Sequence, residues 1–211
     1  MGSKHAGIQR WVDEVKALTT PDQVVWCDGS PEERARLTQE CLKTGELVEL
    51  NQQKMPGCYL HRSAPHDVAR TEHLTFVCTN HKDDAGPNNN WMPPAEAREK
   101  LRGLYRGCMK GRTLYVVPFL MGPPKSRFSK VGVEITDSKY VVLNMAIMTR
   151  VGKVALDQLG TTDDFTKCLH SLGDLSPDRR FICHFPQDNT IWSIGSGDTV
   201  APPRSNSGGA G

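Results

Sequence analysis

Three groups of residues in this sequence have the types and spacing to handle an anion. Arg70 stands in HDVARTEHLTF, at the mouth of a β-favouring run. A guanidinium there can grip a carboxylate or phosphate through two parallel N–H bonds. Glu72 follows two residues later, on the same side of an extended chain, where it can orient that guanidinium or meet a mobile element. By pattern alone the plainer reading, a surface or salt-bridge arginine, stands beside the functional one. The second group is the window 98–112, with Arg98, Lys100, Arg102, Arg106, Lys110 and Arg112 against Glu99. It reads as a solvated helix face, as a site for a polyanionic metabolite, or as a contact for a nucleic-acid backbone. Only Tyr105 is at hand to stack on a base. The third group is Lys125, Arg127 and Lys130, candidate anion contacts in the loop from Gly122 to Lys130, with Ser126 and Ser129 between them. That loop lacks the GxxxxGK[ST] pattern whose backbone cradles phosphates.

Other chemistries find no footing. There is no zinc triad, no HExxH and no GxSxG nucleophile elbow. Ser171 sits beside His170 with no acid that the sequence identifies as its partner. His61 and His66, with Asp67, fall on a loop broken by Pro65 and read as a solvated turn rather than a metal site. Gly195-Ser196-Gly197 follows a strand but opens no helix, so it marks only a tight turn. Seven cysteines, at 27, 41, 58, 78, 108, 168 and 183, include no CxxC pair and read as reduced, mostly buried thiols.

Composition narrows the class. The 211 residues, 37% of them apolar, can bury a sizeable core. Twenty-six Lys and Arg against 24 Asp and Glu leave a formal charge of +2, too even for a dedicated nucleic-acid binder. No apolar run is long enough to span a membrane, and MGSKHAGIQRWVDEV lacks a secretory apolar stretch, so a cytoplasmic chain is expected.

The elements that must position these residues are legible in outline. IQRWVDEVKAL carries Ile8, Trp11, Val12, Val15 and Leu18 on one helical face, and Pro21 stops it. Gln23 to Cys27 predicts a strand. Ser30, Pro31 and Glu33 then form a capping signal for a helix running to about Thr44, closed by Gly45. Short strands are expected at Leu47 to Leu50 and Tyr59 to Arg62, and a further β-favouring run at Glu72 to Thr79. HKDDAGPNNN is expected to hold no regular element, and Pro94 opens a helix through AEAREKLRGLY. RTLYVVPFLM and VGVEITDS read as strands, the second alternating as if one face were buried. Ser138 caps a helix through KYVVLNMAIMTR, with Val141, Asn144, Ile147 and Val151 as its inner stripe, widened by Tyr140, Leu143 and Met148. VALDQLG and DDFTKCLHSLG read as short helices, and Arg180–Phe185 with Thr190–Ile194 as a hairpin. The sum is an α/β domain over 5–197, a layered mixed β-sheet with flanking helices. The Pro-, Ser- and Gly-rich stretch 198–211 is expected to be a disordered tail.

Five blocks carry a resemblance that no short pattern could. MPGCYLHRSAPHDVAR, RGCMKGRTLYVVPFLMGP, SKVGVEITDSKYVVLNMAIMTRVG, KCLHSLG and TIWSIGSG closely resemble the N-terminal part of GTP-dependent phosphoenolpyruvate carboxykinase, from about Trp11 to Gly197. The resemblance implies the family's N-terminal fold and its reaction, oxaloacetate and GTP to phosphoenolpyruvate, GDP and carbon dioxide. It also implies a catalytic manganese ion and magnesium-bound GTP in the full-length family. VARTE matches the substrate-clamping motif, so Arg70 corresponds to the arginine that grips the small substrate and Glu72 to the acid that helps hold the closed lid. Directly after IGSG the family continues with Tyr-Gly-Gly-Asn, whereas this chain has Asp198, Thr199 and Val200. The metal ligands, P-loop, guanine pocket and lid all lie beyond that point in the family. The expectation is therefore an N-terminal lobe alone, inactive by itself, with no cofactor of its own and weak affinity at best for oxaloacetate or phosphoenolpyruvate. A C-terminal lobe in trans is its expected partner, with no nucleic acid and no membrane. Three origins stay open: a deliberately cut domain, a truncated or mis-spliced product, and a split gene. The change of character at Asp198 leans toward a frame or splice change. The alternative function is a non-catalytic fragment that pairs with a complete enzyme.

Overall fold

A computed structural model describes residues 5–62 and 72–195. The first helix, α1 (Ala6–Thr19), buries Ile8, Trp11, Val12 and Val15, the face its apolar spacing predicts. It ends at Thr20, whose φ of 49° is left-handed. After β1 (Gln23–Trp26), Ser30 caps α2 (Pro31–Thr44) by accepting the Glu33 N–H at 3.1 Å. The Glu33 carboxylate reaches past Ser30 to the N–H groups of Asp28 and Gly29, because Asp28 Oδ1 already takes the Ser30 N–H at 2.8 Å. β2 (Val48–Glu49) and β3 (Tyr59–Leu60) form a small separate hairpin. A 3₁₀ turn, Glu72–Leu74, leads into β4 (Thr75–Val77). The connection expected to be irregular holds a 3₁₀ turn, Lys82–Ala85, and enters β5 (Asn90–Trp91). Then come α3 (Pro94–Tyr105), β6 (Thr113–Met121), β7 (Lys130–Thr136), α4 (Lys139–Met148), β8 (Arg150–Val151), α5 (Lys153–Leu159), β9 (Thr166–Ser171), β10 (Phe181–Phe185) and β11 (Thr190–Ile194).

The main sheet runs in the order β1-β6-β7-β9-β11-β10-β4-β5, with β8 also on β6. Its pairings are mixed: β6·β7, β6·β8 and β10·β11 are antiparallel, and the rest are parallel. β1 and β8 share one edge of β6. Cys27 N–H donates to the Val116 carbonyl and Gly152 N–H to that of Pro118, so the missing Pro118 N–H faces the gap between the two strands. One sheet face carries the larger core, where Leu114, Val116, Val133, Ile135, Leu169 and Trp192 meet α1, α3 and α5. On the other, Tyr115 and Val117 pack with Leu37 and Cys41 of α2 and with Val142 and Leu143 of α4. Layered mixed α/β is thus the architecture that the element order predicts.

Three local expectations are corrected. β7 is covered on both faces, because α4 lies over the side expected to face solvent, so Gly132 and Thr136 are buried with Val133 and Ile135. Gly132 is there because Phe119 fills the space of a side chain, its ring 2.3 Å from where a Cβ would sit. In α4 the buried residues are Val142 and Leu143, while Ile147 and Met148 are 65% and 67% exposed. KYVVLNMAIM is apolar almost all round, so periodicity cannot choose its face, and Val151 belongs to β8 instead. KCLHS is not helical: it forms β9, held on both sides by parallel neighbours in the middle of the sheet. Tertiary pairing there overrides local propensity.

Candidate functional site

The C-terminal ends of β7, β9 and β11 and the N-terminal ends of β4, β6 and β10 meet at one end of the sheet. Segments of four of the five family-like blocks converge there. Asp137, directly after β7, has a fully buried side chain, yet it keeps its charge satisfied. Its Oδ2 accepts from Arg112 Nη1 at 2.8 Å and from Ser171 Oγ at 2.9 Å, and its Oδ1 from the Leu172 N–H at 2.9 Å. Arg112 Nη2 donates to the Gly173 carbonyl at 2.9 Å, so one guanidinium ties the start of β6 to the ends of β7 and β9. Ser171 Oγ also accepts from the Gly173 N–H at 3.1 Å and from Cys108 Sγ at 3.3 Å. Burial pushes the Cys108 thiol up to about 11, leaving it a neutral donor.

Around this joint the chain turns tightly. Gly107 and Gly111, with φ of 67° and 78°, fold GCMKG over the end of α1, and the Gly111 N–H donates to Asp22 Oδ1 at 2.9 Å. The N–H groups of Gly107 and Met109 bond the carbonyls of Leu18 and Thr19. Arg180, 2% exposed, donates from Nε to the Gly195 carbonyl at 2.9 Å, and the Gly195 N–H returns to Ser171. Tyr105 reaches from α3 to the Leu169 carbonyl at 3.0 Å, and its burial drives the phenol pKa well above the ordinary value. A cavity of about 230 Å³ opens beside the joint, lined by Arg106, Cys108, Gly173 and Arg179 among others.

Ser171 therefore does have an oriented acid, Asp137, which sequence reading missed. The signal was available only as polar residues at two strand ends, Thr136-Asp137-Ser138 and His170-Ser171. The arrangement is no catalytic triad. His170 points to the opposite sheet face, where its Nδ1 meets Thr136 Oγ1 at 2.8 Å, while Ser171 faces Arg112.

Of the expected site residues, Glu72 stands at this end, exposed, at the start of the turn that feeds β4; its carbonyl accepts from Asn90 Nδ2. Arg70 lies outside the described residues, as do His66 and Asp67. His61 is partly buried, stacked on Tyr140 at 3.9 Å with Nδ1 on the Glu46 carbonyl, so it is no solvated turn. Lys125, Arg127 and Lys130 are exposed at the opposite end, where β6 ends and β7 begins. Four strand spacings, about 19 Å, also separate β7 from β4. The structure does not bring the basic loop to Glu72. The window 98–112 is likewise divided. Arg98 lies over Phe185 and pairs with Asp188, Lys100 covers Phe181 at 4.1 Å, and Arg112 serves the buried joint. Arg102, Arg106 and Lys110 are exposed, as is Lys100 despite its ring contact.

A larger cavity, about 930 Å³, is elsewhere, at the C-terminal end of β1. Its floor includes Trp26, Pro118 and Leu156, and its rim cations are already paired, Arg10 with Asp163 at 3.1 Å and Lys153 with Asp157 at 2.6 Å. Among the described residues no group of three or more His, Cys, Asp or Glu converges to hold a metal ion. No helix among them is long and apolar enough to cross a membrane.

Comparison with known proteins accounts for the convergence of these blocks. The chain is 60% identical over 195 residues to the phosphoenolpyruvate carboxykinase [GTP] of Anaeromyxobacter sp. (strain K), covering 92% of this chain and 33% of that protein. The corresponding protein of Anaeromyxobacter dehalogenans (strain 2CP-C) is 62% identical over 187 residues, covering 89% and 31%. That of Chlamydia caviae is 50% identical over 206 residues, covering 92% and 34%. The chain thus spans about a third of the length of the curated relatives it matches. The family model for the phosphoenolpyruvate carboxykinase N-terminal domain matches residues 10–199, and the chain belongs to that family.

Proposed function

We propose that this chain supplies the N-terminal part of a GTP-dependent phosphoenolpyruvate carboxykinase, converting oxaloacetate and GTP to phosphoenolpyruvate, GDP and carbon dioxide, and that it contributes one arm of the small-substrate site. The observation that carries this reading is the convergence of the family-like blocks on the sheet end that also bears Glu72. In this reading Arg70 grips the carboxylate and phosphate oxygens of the small substrate with a bidentate guanidinium. Holding those oxygens in line with the transferring phosphoryl group lowers the barrier by orientation alone. Glu72 is exposed, as an acid that contacts a closing lid must be. The Asp137–Arg112–Ser171 joint fixes the strand ends on which such an arm would rest.

The chain by itself is inactive in this reading. Manganese and magnesium-GTP supply electrostatic stabilisation when bound, and the described donors offer no cluster to hold a metal. The alternative is a non-catalytic fragment that pairs with a complete enzyme or a separate C-terminal lobe. An assay with oxaloacetate, GTP and manganese separates the readings when run twice, with the chain alone and with a C-terminal portion of a relative added. No turnover alone and turnover on mixing, lost in Arg70→Ala, supports the proposal. Turnover by the chain alone overturns the inactive-fragment reading, and mixed activity indifferent to Arg70→Ala overturns the assigned arm.

A further inference from the structure

The basic loop that the fold separates from Glu72 has a character of its own. Residues 122–130 contain three cations and no acid, and Arg150 adds a fourth by bonding the Gly122 carbonyl at 2.9 Å. Large apolar side chains stand among these charges: Phe128 is 76% exposed, Met121 53%, Ile147 65% and Met148 67%. Register brings them together. Met121 is paired with Lys130 on one side, and on the other Leu120 is paired with Arg150, just after Met148 and Thr149. Isolated exposed apolar residues are ordinary, whereas a cluster of large ones marks a contact surface.

The loop is built to hold this surface still. Pro123 and Pro124 stiffen it, Ser129 Oγ donates to the Pro123 carbonyl at 2.6 Å, and the Phe128 N–H donates to Ser126 Oγ at 3.2 Å. Lys125 takes a left-handed φ of 65°, and its N–H donates to Gln158 Oε1 at 2.7 Å. An aromatic anchor presented on a rigid loop loses little entropy on binding.

We propose that this loop and the C-terminal end of α4 form a docking surface for an acidic protein segment that carries apolar anchors. Charge complementarity chooses the occupant: four cations, three of them in a loop that holds no acid, call for carboxylates, and four exposed apolar side chains call for aliphatic or aromatic neighbours. The arrangement argues against a lipid surface. Arg127 lies over the Phe128 ring, 4.6 Å from its centroid, so inserting Phe128 into hydrocarbon would draw a guanidinium in with it. Against a protein partner the same stacking is favourable, since the cation stays at the polar rim.

The test uses the full 211-residue chain and a fluorescein-labelled twelve-residue peptide alternating Glu or Asp with Leu and Phe. A control peptide has every acid replaced by its amide. Anisotropy at 50 mM salt is expected to show sub-millimolar binding of the acidic peptide, at least tenfold tighter than the amide control and weakened several-fold at 300 mM salt. Phe128→Ala and the pair Lys125→Glu with Arg127→Glu should each weaken binding about tenfold with an unchanged melting temperature, as all three side chains are exposed. Equal binding of the two peptides, or binding unmoved by these variants, overturns the proposal. So does capture by phosphatidylserine vesicles, lost in Phe128→Ala, with no binding of the acidic peptide.

Discussion

Replacing Asp137 with alanine should be among the most damaging single changes in this chain, and the structure says by how much. The carboxylate is fully buried and accepts three hydrogen bonds, from Arg112, Ser171 and the Leu172 N–H. Removing it strands all three donors, one of them a guanidinium whose side chain is 37% exposed. Orphaned neutral donors cost about 1 to 3 kcal/mol each when no water reaches them, and breaking a buried charge pair costs about 3 to 5 kcal/mol. Water can reach Arg112, so its share is discounted, and a total of about 4 kcal/mol is expected. For a domain of this size that corresponds to a fall in melting temperature of about 8 to 16 °C. Arg112→Met should cost about 3 kcal/mol, since the buried charge then keeps only neutral donors. The double variant should be far better than the sum of the two, because neither charge is left alone. Urea unfolding of the four proteins in a double-mutant cycle measures the coupling. A cost below about 1 kcal/mol for Asp137→Ala, or simple additivity in the double variant, would refute the account of this joint.

Other outcomes follow from single features. Glu134 sits on β7 with its Oε1 sealed from water and without a hydrogen-bond partner, and burial raises its pKa to about 8. A raised carboxyl pKa means the folded state holds a proton that the unfolded state releases, so stability should fall as pH rises from about 4.5 to 8. Glu134→Gln should flatten that slope in denaturant titrations at successive pH values and raise stability at pH 7.5; an unchanged slope would contradict a protonated Glu134. Gly152 has φ of 87°, and a Cβ there would lie 2.0 Å from the Asp28 carbonyl oxygen, so Gly152→Ala should cost about 3 kcal/mol or more by thermal melting. Ser30→Ala removes the α2 cap and should cost about 1 kcal/mol, seen as a lower urea midpoint at unchanged slope.

How much of this was legible varies with the physics of each element. The face of α1 and the caps of α2 follow from local chemistry: Ser30, Pro31, Glu33 and Gly45 act within a few residues of themselves. The hairpin of β10 and β11 is also local, since Asn189 supplies the left-handed turn with φ of 47°. α4 and β9 were misjudged because their outcome depends on distant partners. An all-round apolar helix has no preferred face until a sheet is laid against it, and KCLHS becomes a strand only between β7 and β11. Likewise Ser171 and Asp137 are 34 residues apart, and no local rule pairs them.

The candidate site divides along the same line. A buried polar joint is demanding about residue type, because each donor and acceptor must be met with correct geometry once water is excluded. Asp137 cannot become Asn without leaving Arg112 poorly matched, and Gly173 and Gly195 stand in left-handed turns against Ile194 and Arg179. Blocks built around such a joint are therefore distinctive as strings, which is why ITDS, HSLG and GRT carry a resemblance. The residues offered for chemistry are distinctive in the opposite way: Glu72 is exposed, and Lys125, Arg127 and Lys130 meet solvent, where almost any polar residue folds equally well. Their identities are set by what they meet, not by what holds them. The joint makes the family legible, and only a bound partner or substrate makes the exposed residues so.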